Sequence, residues 1–565
     1  MKTINLLLFF VALSSNSIAQ TNWYWAKQAT GLPSQEGGNV IVDKNNNVYA
    51  TGGIITIGVP PNGGYDTSYF GSKTVLIPTY VFMQAYLIRY DDHGNVIWVK
   101  TANGGPYSSS FLGYSAADKN GNIYAGGNYT GIVGWGTTTI TSRDTLDGVL
   151  VKFDSSGAIL WADDIGGCDY LQGVAVDNTS NVYVTGFFRD TLYIGSNIFV
   201  GDTNGDMFVA KFNTAGNLIW ARTAADSGIN QGTGISIDNL NNIYVSGNYK
   251  GHAITFGTKT LTSIDSTAIF IVKYDTNGNV LMAETPQGFH IVTATSNTTD
   301  YKNNFYLAGQ FDSIYAKTDT FANPAKRTSL YVAKFDTGGN MLWVNAATGT
   351  QLNNYDDRGT YPYSLATDTS GHLYVAASSG DTITMGTFVL STYQYFSPYS
   401  YQPSCVIKLN DSTGLPLCGM IMPCGGDDES GVAVDKQENV IFEGDIENND
   451  TFGPYNLIAT NGETEFIIKF SCDAPFDAIN PIASGKEQIN VYPNPFNTTT
   501  TISFSQPIEK HFIEVDDVTG RKLKYGECND KEYLLSRAGL AAGVYMVKVS
   551  DNSNNVVAIT KVVVY

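Results

Sequence analysis

The sequence predicts an all-β protein whose body is built from repeated four-stranded units, and three observations support this prediction. The composition has 58 Gly, 35 Tyr and 28 Phe with only 15% charged residues, which favours strands and tight turns over helices. Four apolar segments, here named A to D, recur in a fixed order along most of the chain. The count of segments is also complete, because the D segment that is missing from the last repeat is present before the first repeat.

The first residues have the pattern of an export signal. Lys2 gives a positive start, residues 6–13 form a short apolar run, and Ser17 and Ala19 are small residues of a cleavage site. We therefore predict a signal peptide over residues 1–19. No later stretch reaches the roughly 18 apolar residues that a membrane-spanning helix needs, so the sequence predicts no transmembrane segment.

The charge and the cysteines limit the partners and the compartment. A formal net charge of −19 opposes binding to phosphate backbones, so nucleic acid is excluded as an expected partner. Export to an oxidising compartment allows disulfides among the six cysteines.

Segments A and B define the inner half of each repeat. Segment A is an apolar run that ends in an aspartate, and these aspartates are Asp43, Asp118, Asp177, Asp238, Asp300, Asp368 and Asp435. Segment B follows a short turn and carries an aromatic residue, in the series Tyr49, Tyr124, Tyr183, Tyr244, Tyr306, Tyr374 and Phe442. Both series have seven members, so the sequence predicts seven copies.

Segments C and D define the outer half. Segment C contains one basic residue in an apolar setting, in the series Arg89, Lys152, Lys211, Lys273, Lys334, Lys408 and Lys469. Segment D centres on a large residue, in the series Trp98, Trp161, Trp220, Met282, Trp343 and Cys418. The seventh D segment lies at the other end of the chain, around Trp25. We therefore expect the N-terminal strand to complete the last unit, which removes a free sheet edge.

These observations predict a seven-bladed β-propeller over residues 20–473, closed by the N-terminal strand and followed by a linker over residues 474–487. The Val-Asp, Gly-Asn, Val-Tyr and Lys-Phe-Asp pattern, matched from Trp25 to Phe470, resembles β-propeller repeats of the SBBP type. That resemblance implies the fold and leaves the function open, because propellers support binding, scaffolding and catalysis alike. The basic residues of segment C are expected to bury their stems between blades and to pair with a local carboxylate.

The two ends of the predicted blades differ. The A–B and C–D turns are short and uniform, whereas the B–C connections are long and irregular, so we expect the ligand-binding face at the B–C end. Tyrosines suited to a glycan or protein ligand lie in two of these connections. The alternative is that these rings cover small cores of their own loops. The candidate ligand-binding residues are Tyr65, Tyr69, Tyr80, Tyr393, Tyr395, Tyr399 and Tyr401.

No catalytic, cofactor-binding or metal-ligating residues are assigned from the sequence. The Asp-x-Asn-Gly-Asn turns resemble the start of a calcium loop but lack its terminal Glu. The Trp turns also resemble the docking motif of quinone-dependent dehydrogenases, without an adjacent cysteine pair. Five scattered histidines form no hydrolase or metalloprotease motif. A carboxylate pair assembled from distant blades stays open, which keeps a polysaccharide-acting glycosidase or lyase as the alternative function.

Four cysteines are disulfide candidates. Cys405 and Cys418 lie on segments C and D of one copy, so they form the first expected pair, and Cys424 with Cys472 forms the second. Cys168 and Cys528 stay unassigned.

Residues 488–565 form a separate module of predicted half-buried strands, consistent with a small Ig-like β-sandwich. Its motifs resemble the type A sorting domain of the type IX secretion system of Bacteroidetes-like bacteria. The resemblance implies interaction with the type IX machinery, and placement of the protein outside the cell or on its outer surface. The matching residues are Pro493, Asn494, Pro495, Gly520, Arg521, Gly543, Tyr545 and Lys561.

The sequence therefore predicts an exported propeller that acts as a non-catalytic binding or adhesion module for a glycan or a protein.

Overall fold

The computed structural model of the chain is an all-β structure. It describes residues 22–31, 33–56, 64–224, 228–251, 253–263, 267–286, 289–315, 320–322, 329–347, 360–379, 382–386, 388–391, 403–425, 430–446, 449–459, 463–472, 489–492, 494, 496–504, 510–517, 522–541, 543–550 and 556–564. Regular structure in these ranges consists of strands. Within them, no helix is long and apolar enough to cross a membrane. The predicted signal peptide and linker lie outside the described residues.

The four predicted segments are strands in each copy, and copies are numbered as units 1 to 7 in chain order. Strands A are β2 (Ser34–Val42), β9 (Ser109–Ala117), the second half of β14 (Ile159–Val176), β19 (Ile229–Ile237), β25 (Phe289–Thr299), β30 (Thr360–Thr367) and β36 (Gly431–Val434). Strands B are β3 (Val48–Ile55), β10 (Ile123–Thr130), β15 (Val182–Ile194), β20 (Ile243–Lys250), β26 (Phe305–Tyr315), β31 (Leu373–Ser379) and β37 (Asn439–Ile446).

The outer strands follow the same order. Strands C are β6 (Met83–Tyr90), β13 (Asp147–Phe153), β17 (Asp206–Phe212), β23 (Ala268–Tyr274), β28 (Ser329–Phe335), β34 (Pro403–Leu409) and β40 (Thr464–Ser471). Strands D are β7 (Val96–Thr101), the first half of β14, β18 (Leu218–Ala224), β24 (Val280–Glu284), β29 (Met341–Ala346), β35 (Pro416–Gly425) and β1 (Trp23–Gly31). In each unit, A pairs with B, B with C and C with D, always antiparallel.

The units are arranged as in a β-propeller. The A strand of each unit contacts the A strand of the next, and β36 and β37 of the last unit contact β2 of the first. The middle strands are covered on both faces, so β17 and β23 are buried at every position. They are mostly apolar without alternation, apart from Asp206, Lys211 and Lys273. The ring of contacts closes as expected, because β1 pairs with β40 and Trp25 lies opposite Lys469.

Each A–B turn is held by the aspartate that ends strand A. In unit 3, Asp177 Oδ1 accepts hydrogen bonds from the backbone N–H groups of Thr179 and Asn181 at 2.8 and 2.9 Å. Its Oδ2 accepts from the hydroxyl of Tyr183 at 3.0 Å, and the ammonium of Lys211 lies 4.0 Å away. The aspartate oxygens of the turns that resemble calcium loops therefore accept hydrogen bonds from donors of the same unit.

The basic residue of strand C and the tryptophan of strand D in one unit contact the C–D turn of the next unit. Lys211 Nζ and Trp220 Nε1 both donate to the carbonyl of Thr276, in the following C–D turn, each at 3.0 Å. The tryptophan ring lies on Gly278 of that turn, where a Cβ would approach the ring to 2.9 Å. The segment C and D series thus serve packing between units, as the sequence indicates for the lysines.

Short hairpins and single strands lie within the B–C connections. Those of units 1 and 2 are β4 (Tyr65–Phe70) with β5 (Lys73–Pro78), and β11 (Ile132–Trp135) with β12 (Thr138–Thr141). Strand β11 also pairs with β8 (Asn103–Gly104), which lies in the preceding D–A connection. Those of units 3 to 7 are β16 (Asn197–Val200), β21 (Ala253–Phe256) with β22 (Lys259–Thr262), β27 (Thr320–Ala322), β32 (Thr382–Met385) with β33 (Phe388–Ser391), and β38 (Asp450–Phe452) with β39 (Tyr455–Leu457). Strand β4 also pairs with β1, so the hairpin of unit 1 extends the sheet of unit 7.

The C-terminal module contains two sheets around one core. One sheet has the order β41 (Ile489–Tyr492), β42 (Thr499–Phe504), β45 (Glu532–Ser536). The other has the order β44 (Lys522–Cys528), β43 (His511–Asp517), β46 (Gly543–Ser550), β47 (Val556–Val564). Both sheets contribute side chains to a single buried apolar cluster, among them Ile502 and Val547.

The disulfide differs from both expected pairings, Cys405 with Cys418 and Cys424 with Cys472. Cys418 is bonded to Cys472, while Cys405 is a buried free cysteine. The expected pairing of Cys405 with Cys418 is wrong because Cys418 lies opposite Lys408 in the antiparallel register, and Cys405 lies opposite Ile421. Cys418 instead reaches across to the end of unit 7, so the bridge joins units 6 and 7. Cys168 and Cys528 are also buried and free.

Candidate functional site

An exposed aromatic surface begins on the hairpin β4–β5. Tyr65 and Tyr69 are 66% and 45% exposed, and they project from the same face of β4 because they are four residues apart. The other face of the hairpin is buried through Phe70 and Ile77. The alternative from the sequence, in which these rings cover a core of their own loop, does not describe Tyr65 and Tyr69.

Three further aromatic residues are connected to this hairpin through the backbone. The carbonyl of Tyr80 accepts the N–H of Tyr107 at 2.7 Å, and the N–H of Phe82 donates to the carbonyl of Ser108 at 2.9 Å. The rings of Phe82 and Tyr107 are 5.9 Å apart, and all three aromatic side chains are exposed. Tyr107 has a φ of +62°, a strained conformation that surrounding structure has to hold in place. We call Tyr65, Tyr69, Tyr80, Phe82 and Tyr107 the aromatic surface.

The second predicted group of tyrosines cannot be placed beside it. Tyr393, Tyr395, Tyr399 and Tyr401 lie outside the described residues. Their assignment to a ligand site stays a prediction.

A cleft of ≈430 Å³ lies between units 2 and 3. Asp164, on the outermost strand of unit 2, accepts hydrogen bonds from the Tyr129 hydroxyl at 2.7 Å and from Arg143 Nε at 3.3 Å. The Arg143 guanidinium lies 5.0 Å from the centre of the Tyr193 ring. Polar and charged residues dominate the lining, which includes Arg143, Asp163, Asp164, Ser196, Asn197 and Asn217.

Asp163 is the least satisfied group of this cleft. Its Oδ2 is buried without a hydrogen-bond donor in the described part of the chain, and it faces Gly216 of the next unit. Burial, followed by the charge of Asp164, raises the pKa of Asp163 to about 6. Burial also raises the pKa of Asp164, and the hydrogen bonds from Tyr129 and Arg143 oppose that rise. The cleft thus holds two carboxyl groups in different environments.

A cluster of buried carboxyl groups lies where unit 7 meets unit 1. Glu443 Oε1 accepts the N–H of Gly38 at 3.0 Å, and Asp445 Oδ1 accepts that of Gly37 at 3.2 Å. Burial, with the charge of Glu465 next, raises the pKa of Asp445 well above its usual range. Burial raises the pKa of Glu465 to about 7, against a smaller lowering by the Tyr86 hydroxyl. These groups belong to the seam that closes the ring.

Among the described residues, one group of side chains has a geometry that could suit a metal ion, namely Asp368, His372 and Glu438. The Lys408 ammonium already lies 3.5 Å from Asp368 and 3.7 Å from Glu438. His372 Nδ1 lies 2.9 Å from Asp368 Oδ2. The arrangement therefore fits an ion-pair network between units 6 and 7, in which the lysine supplies the positive charge.

The described residues of the sorting motif take part in hydrogen bonds or strand pairing within the C-terminal module. Asn494 Oδ1 accepts the N–H of Val563 at 2.8 Å, and the Tyr545 hydroxyl donates to the carbonyl of Ala541 at 2.8 Å. Gly543 begins β46, and Lys561 lies in β47 opposite Met546. The remaining motif residues, Pro493, Pro495, Gly520 and Arg521, lie outside the described residues.

Sequence reasoning did not identify Phe82, Tyr107 or Asp163. Tyr107 lies in a D–A connection, and only the folded chain brings it to Tyr80. Asp163 gives no signal in the sequence, because the same D-strand position varies among the units, with Lys100 in unit 1, Arg222 in unit 3 and Glu284 in unit 4.

A family model described as a secretion system C-terminal sorting domain matches residues 490–565. This module is therefore a sorting domain, which implies export through the type IX machinery to the cell surface or the extracellular space.

The body has more distant relatives. An uncharacterized WD repeat-containing protein of Acanthamoeba polyphaga mimivirus is 25% identical over 339 residues, which is 48% of this chain and 24% of the relative. The chain thus spans about a quarter of the length of that relative.

Among solved structures, the Dos1 propeller gives a TM-score of 0.31 at 10% identity, covering 80% of this chain and 91% of that one. The quinohemoprotein alcohol dehydrogenase of Comamonas testosteroni gives 0.35 at 10%, covering 83% and 78%. A COPII outer coat vertex gives 0.38 at 8%, covering 88% and 99%. At these scores the likenesses define neither the fold nor the activity of this chain.

Proposed function

Because residues 490–565 direct the protein to the outside of the cell, we propose that the body is a seven-bladed β-propeller that acts there as a non-catalytic binding or adhesion module. In this proposal the domains are a signal peptide (1–19), a propeller of SBBP-type repeats (20–473), a linker (474–487) and an Ig-like sorting domain (488–565). The source is a Bacteroidetes-like bacterium. The seven A–D units and the pairing of β1 with β40 support the blade number.

The aromatic surface is the observation that carries the binding function. Exposed aromatic rings contribute large contact areas at low conformational-entropy cost, and groups of exposed apolar residues mark interaction sites. The rings lie beside polar groups, since Tyr69 is opposite the exposed Thr74 and two residues from Thr67. Flat rings interspersed with hydroxyl groups suit a glycan, whose sugar rings have apolar faces and hydroxyl edges.

The rings are also prepared for binding before a ligand arrives. Strand β4 is held between β1 and β5, and the backbone hydrogen bond from Tyr107 to Tyr80 fixes the second part of the surface. A preformed surface loses little freedom on binding, which favours affinity.

Binding of the purified protein to a glycan array tests this function, with variants Tyr65→Ala/Tyr69→Ala and Tyr107→Ala. We expect each variant to weaken glycan binding by about tenfold or more, which corresponds to ~1.4 kcal/mol. Tyr301→Ala is the matched control, because Tyr301 is similarly exposed but lies in an A–B turn at the opposite end of the units. Equal binding by all variants, or capture of a protein and no glycan, would contradict the glycan assignment.

The sorting function has its own test. Deletion of residues 488–565 should leave the body in the periplasm, and fusion of the same residues to a periplasmic reporter should bring the reporter to the cell surface. Surface delivery of the truncated protein would show that another signal exports it.

The alternative function, a glycosidase or lyase acting on extracellular polysaccharide, would need two carboxyl groups that both reach a substrate. Asp163 and Asp164 line one cleft, but both Asp164 oxygens already accept hydrogen bonds from Tyr129 and Arg143. This engagement favours binding over hydrolysis.

A further inference from the structure

We propose that the cleft between units 2 and 3 is a second ligand site, distinct from the aromatic surface, and that it binds a neutral saccharide of one or two sugar rings. The cleft involves the outermost strand of unit 2, the Arg143 region and the C–D turn of unit 3. None of its residues belongs to the aromatic surface, so either site can fail without the other.

Asp163 carries a charge opposite to that of the residues at the same D-strand position in the two neighbouring units. In unit 1 the long side chain of Lys100 lies against Gly157 of the next C–D turn. In unit 3, Arg222 Nε donates to the carbonyl of Gly278 in the next turn at 3.1 Å. Asp163 also lies against the next turn, at Gly216, but it brings a carboxylate oxygen there instead of a cationic side chain. The residue at this position varies from unit to unit, and unit 4 carries Glu284 there, so each boundary between units has its own chemistry.

The neighbouring residue, Asp164, differs from its counterparts in units 1, 3 and 4. Asp164 occupies the D-strand position that holds Thr101 in unit 1, Thr223 in unit 3 and Thr285 in unit 4. In unit 4 the corresponding tyrosine, Tyr249, bonds to the Thr285 hydroxyl. A threonine is therefore sufficient for packing, and a carboxylate is not required by the fold. The carboxylate does, however, hold Arg143 at the cleft.

The polar groups of the cleft define the ligand by their mixture of donors and acceptors. Asp163 lines the cleft as an acceptor, and its buried Oδ2 lacks a donor among the described residues. Arg143 supplies only donors, and the amides of Asn197 and Asn217 supply both. Hydroxyl groups donate and accept at once, so a sugar can satisfy this set, and 430 Å³ is within the range of small-ligand sites.

The charged groups of the cleft disfavour inorganic anions, metal cations and amines as ligands. Asp163 and Asp164 oppose an inorganic anion, while the guanidinium of Arg143, which is half exposed, opposes a metal cation or an amine. A neutral ligand with several hydroxyl groups is repelled neither by the carboxylates nor by the guanidinium.

Saturation-transfer NMR and calorimetry with glucose, galactose, mannose, N-acetylglucosamine and cellobiose test the proposal on the full chain. We expect at least one of these sugars to bind to the wild type. Asp163→Lys should weaken that binding by tenfold or more, since it restores the side chain of Lys100 and fills the cleft. This variant is expected to fold, because units 1 and 7 carry Lys100 and Lys27 at the same position.

Glu284→Lys is the matched control, because it makes the same change of charge at the corresponding position of unit 4 and should leave sugar binding unchanged. Melting temperatures of both variants establish that they fold. Asp163→Asn serves as a second test that keeps the size of the side chain, with an expected loss of threefold or more. Absence of binding by every sugar, binding of ethylamine instead, or equal binding by wild type and Asp163→Lys would each overturn the proposal.

Discussion

Trp25, close to the beginning of the folded body, lies directly opposite Lys469, close to its end. The Trp25 indole is buried, donates to the carbonyl of Asp92 at 2.8 Å and stacks on Tyr90. One side chain thus joins unit 7 to unit 1. The stability of the ring should therefore depend on this N-terminal strand.

Replacing this ring is the first prediction. Trp25→Ala should destabilise the body by about 3–5 kcal/mol, since it removes a buried aromatic side chain and one hydrogen bond at the closing seam. The measurement is thermal unfolding followed by circular dichroism. Ile97→Ala, at an exposed position of another outermost strand, should leave the melting temperature nearly unchanged. Equal effects of the two substitutions would show that β1 does not hold the ring together.

The second prediction separates backbone strain from packing at the turns. Gly278 and Gly257 both belong to unit 4 and have φ values of +77° and +58°, so alanine at either position is strained by about 1–2 kcal/mol. At Gly278 a Cβ also meets the Trp220 ring, whereas at Gly257 it meets only Val280 at 3.6 Å. Gly278→Ala should therefore lower the melting temperature more than Gly257→Ala and shift tryptophan fluorescence. Identical results for the two substitutions would contradict the packing of Trp220 on Gly278.

The third prediction concerns pH at the closing seam. Glu465 has a pKa raised to about 7 by burial, so the folded protein binds more protons there than the unfolded chain does. Stability is then fully present below the ordinary pKa of a glutamate and is lost as pH rises toward 7. The groups facing Glu465 are Asp445, Glu443, Tyr86 and Tyr90.

The melting temperature should consequently fall between pH 5 and pH 8, by an amount equivalent to at most about 3 kcal/mol. Glu465→Gln should flatten this dependence, because an amide keeps the shape without the charge. Glu527→Gln, on the half-exposed surface of the sorting domain, is the control and should leave the pH profile as it is in the wild type. A profile unaffected by Glu465→Gln would rule out this carboxyl group as the origin.

The fourth prediction concerns the bridge between units 6 and 7. Cys418 and Cys472 are separated by 54 residues, so the chain-entropy estimate gives roughly 4 kcal/mol for this cross-link. Cys472→Ser should lower the melting temperature, and peptide mapping of the unreduced protein should recover the two cysteines linked. Cys528→Ser, at a free cysteine of the sorting domain, is the control. Recovery of Cys405 linked to Cys418 would contradict the structure.

The repeat pattern was sufficient to predict the strands and the closure. The A–D periodicity places Asp177, Tyr183, Lys211 and Trp220 in one unit, and the structure shows these four residues in one network of contacts. Local patterning has this power because each unit repeats the same short-range pairing. The disulfide was predicted wrongly for the opposite reason, since its partner lies in the next unit and register alone decides which side chains meet.

The sequence by itself determined the all-β class, the order of the four strands, the identity of the closing strand and the sorting module, because all of these follow from periodicity and motifs that neighbouring residues carry. Tertiary structure alone decided which aromatic rings are exposed together and where the repeat opens into a cleft. Tyr80 of a B–C connection meets Tyr107 of a D–A connection, and Asp163 faces Gly216 of another unit. Such contacts depend on how the units stack, which is a property of the closed ring and not of any one repeat.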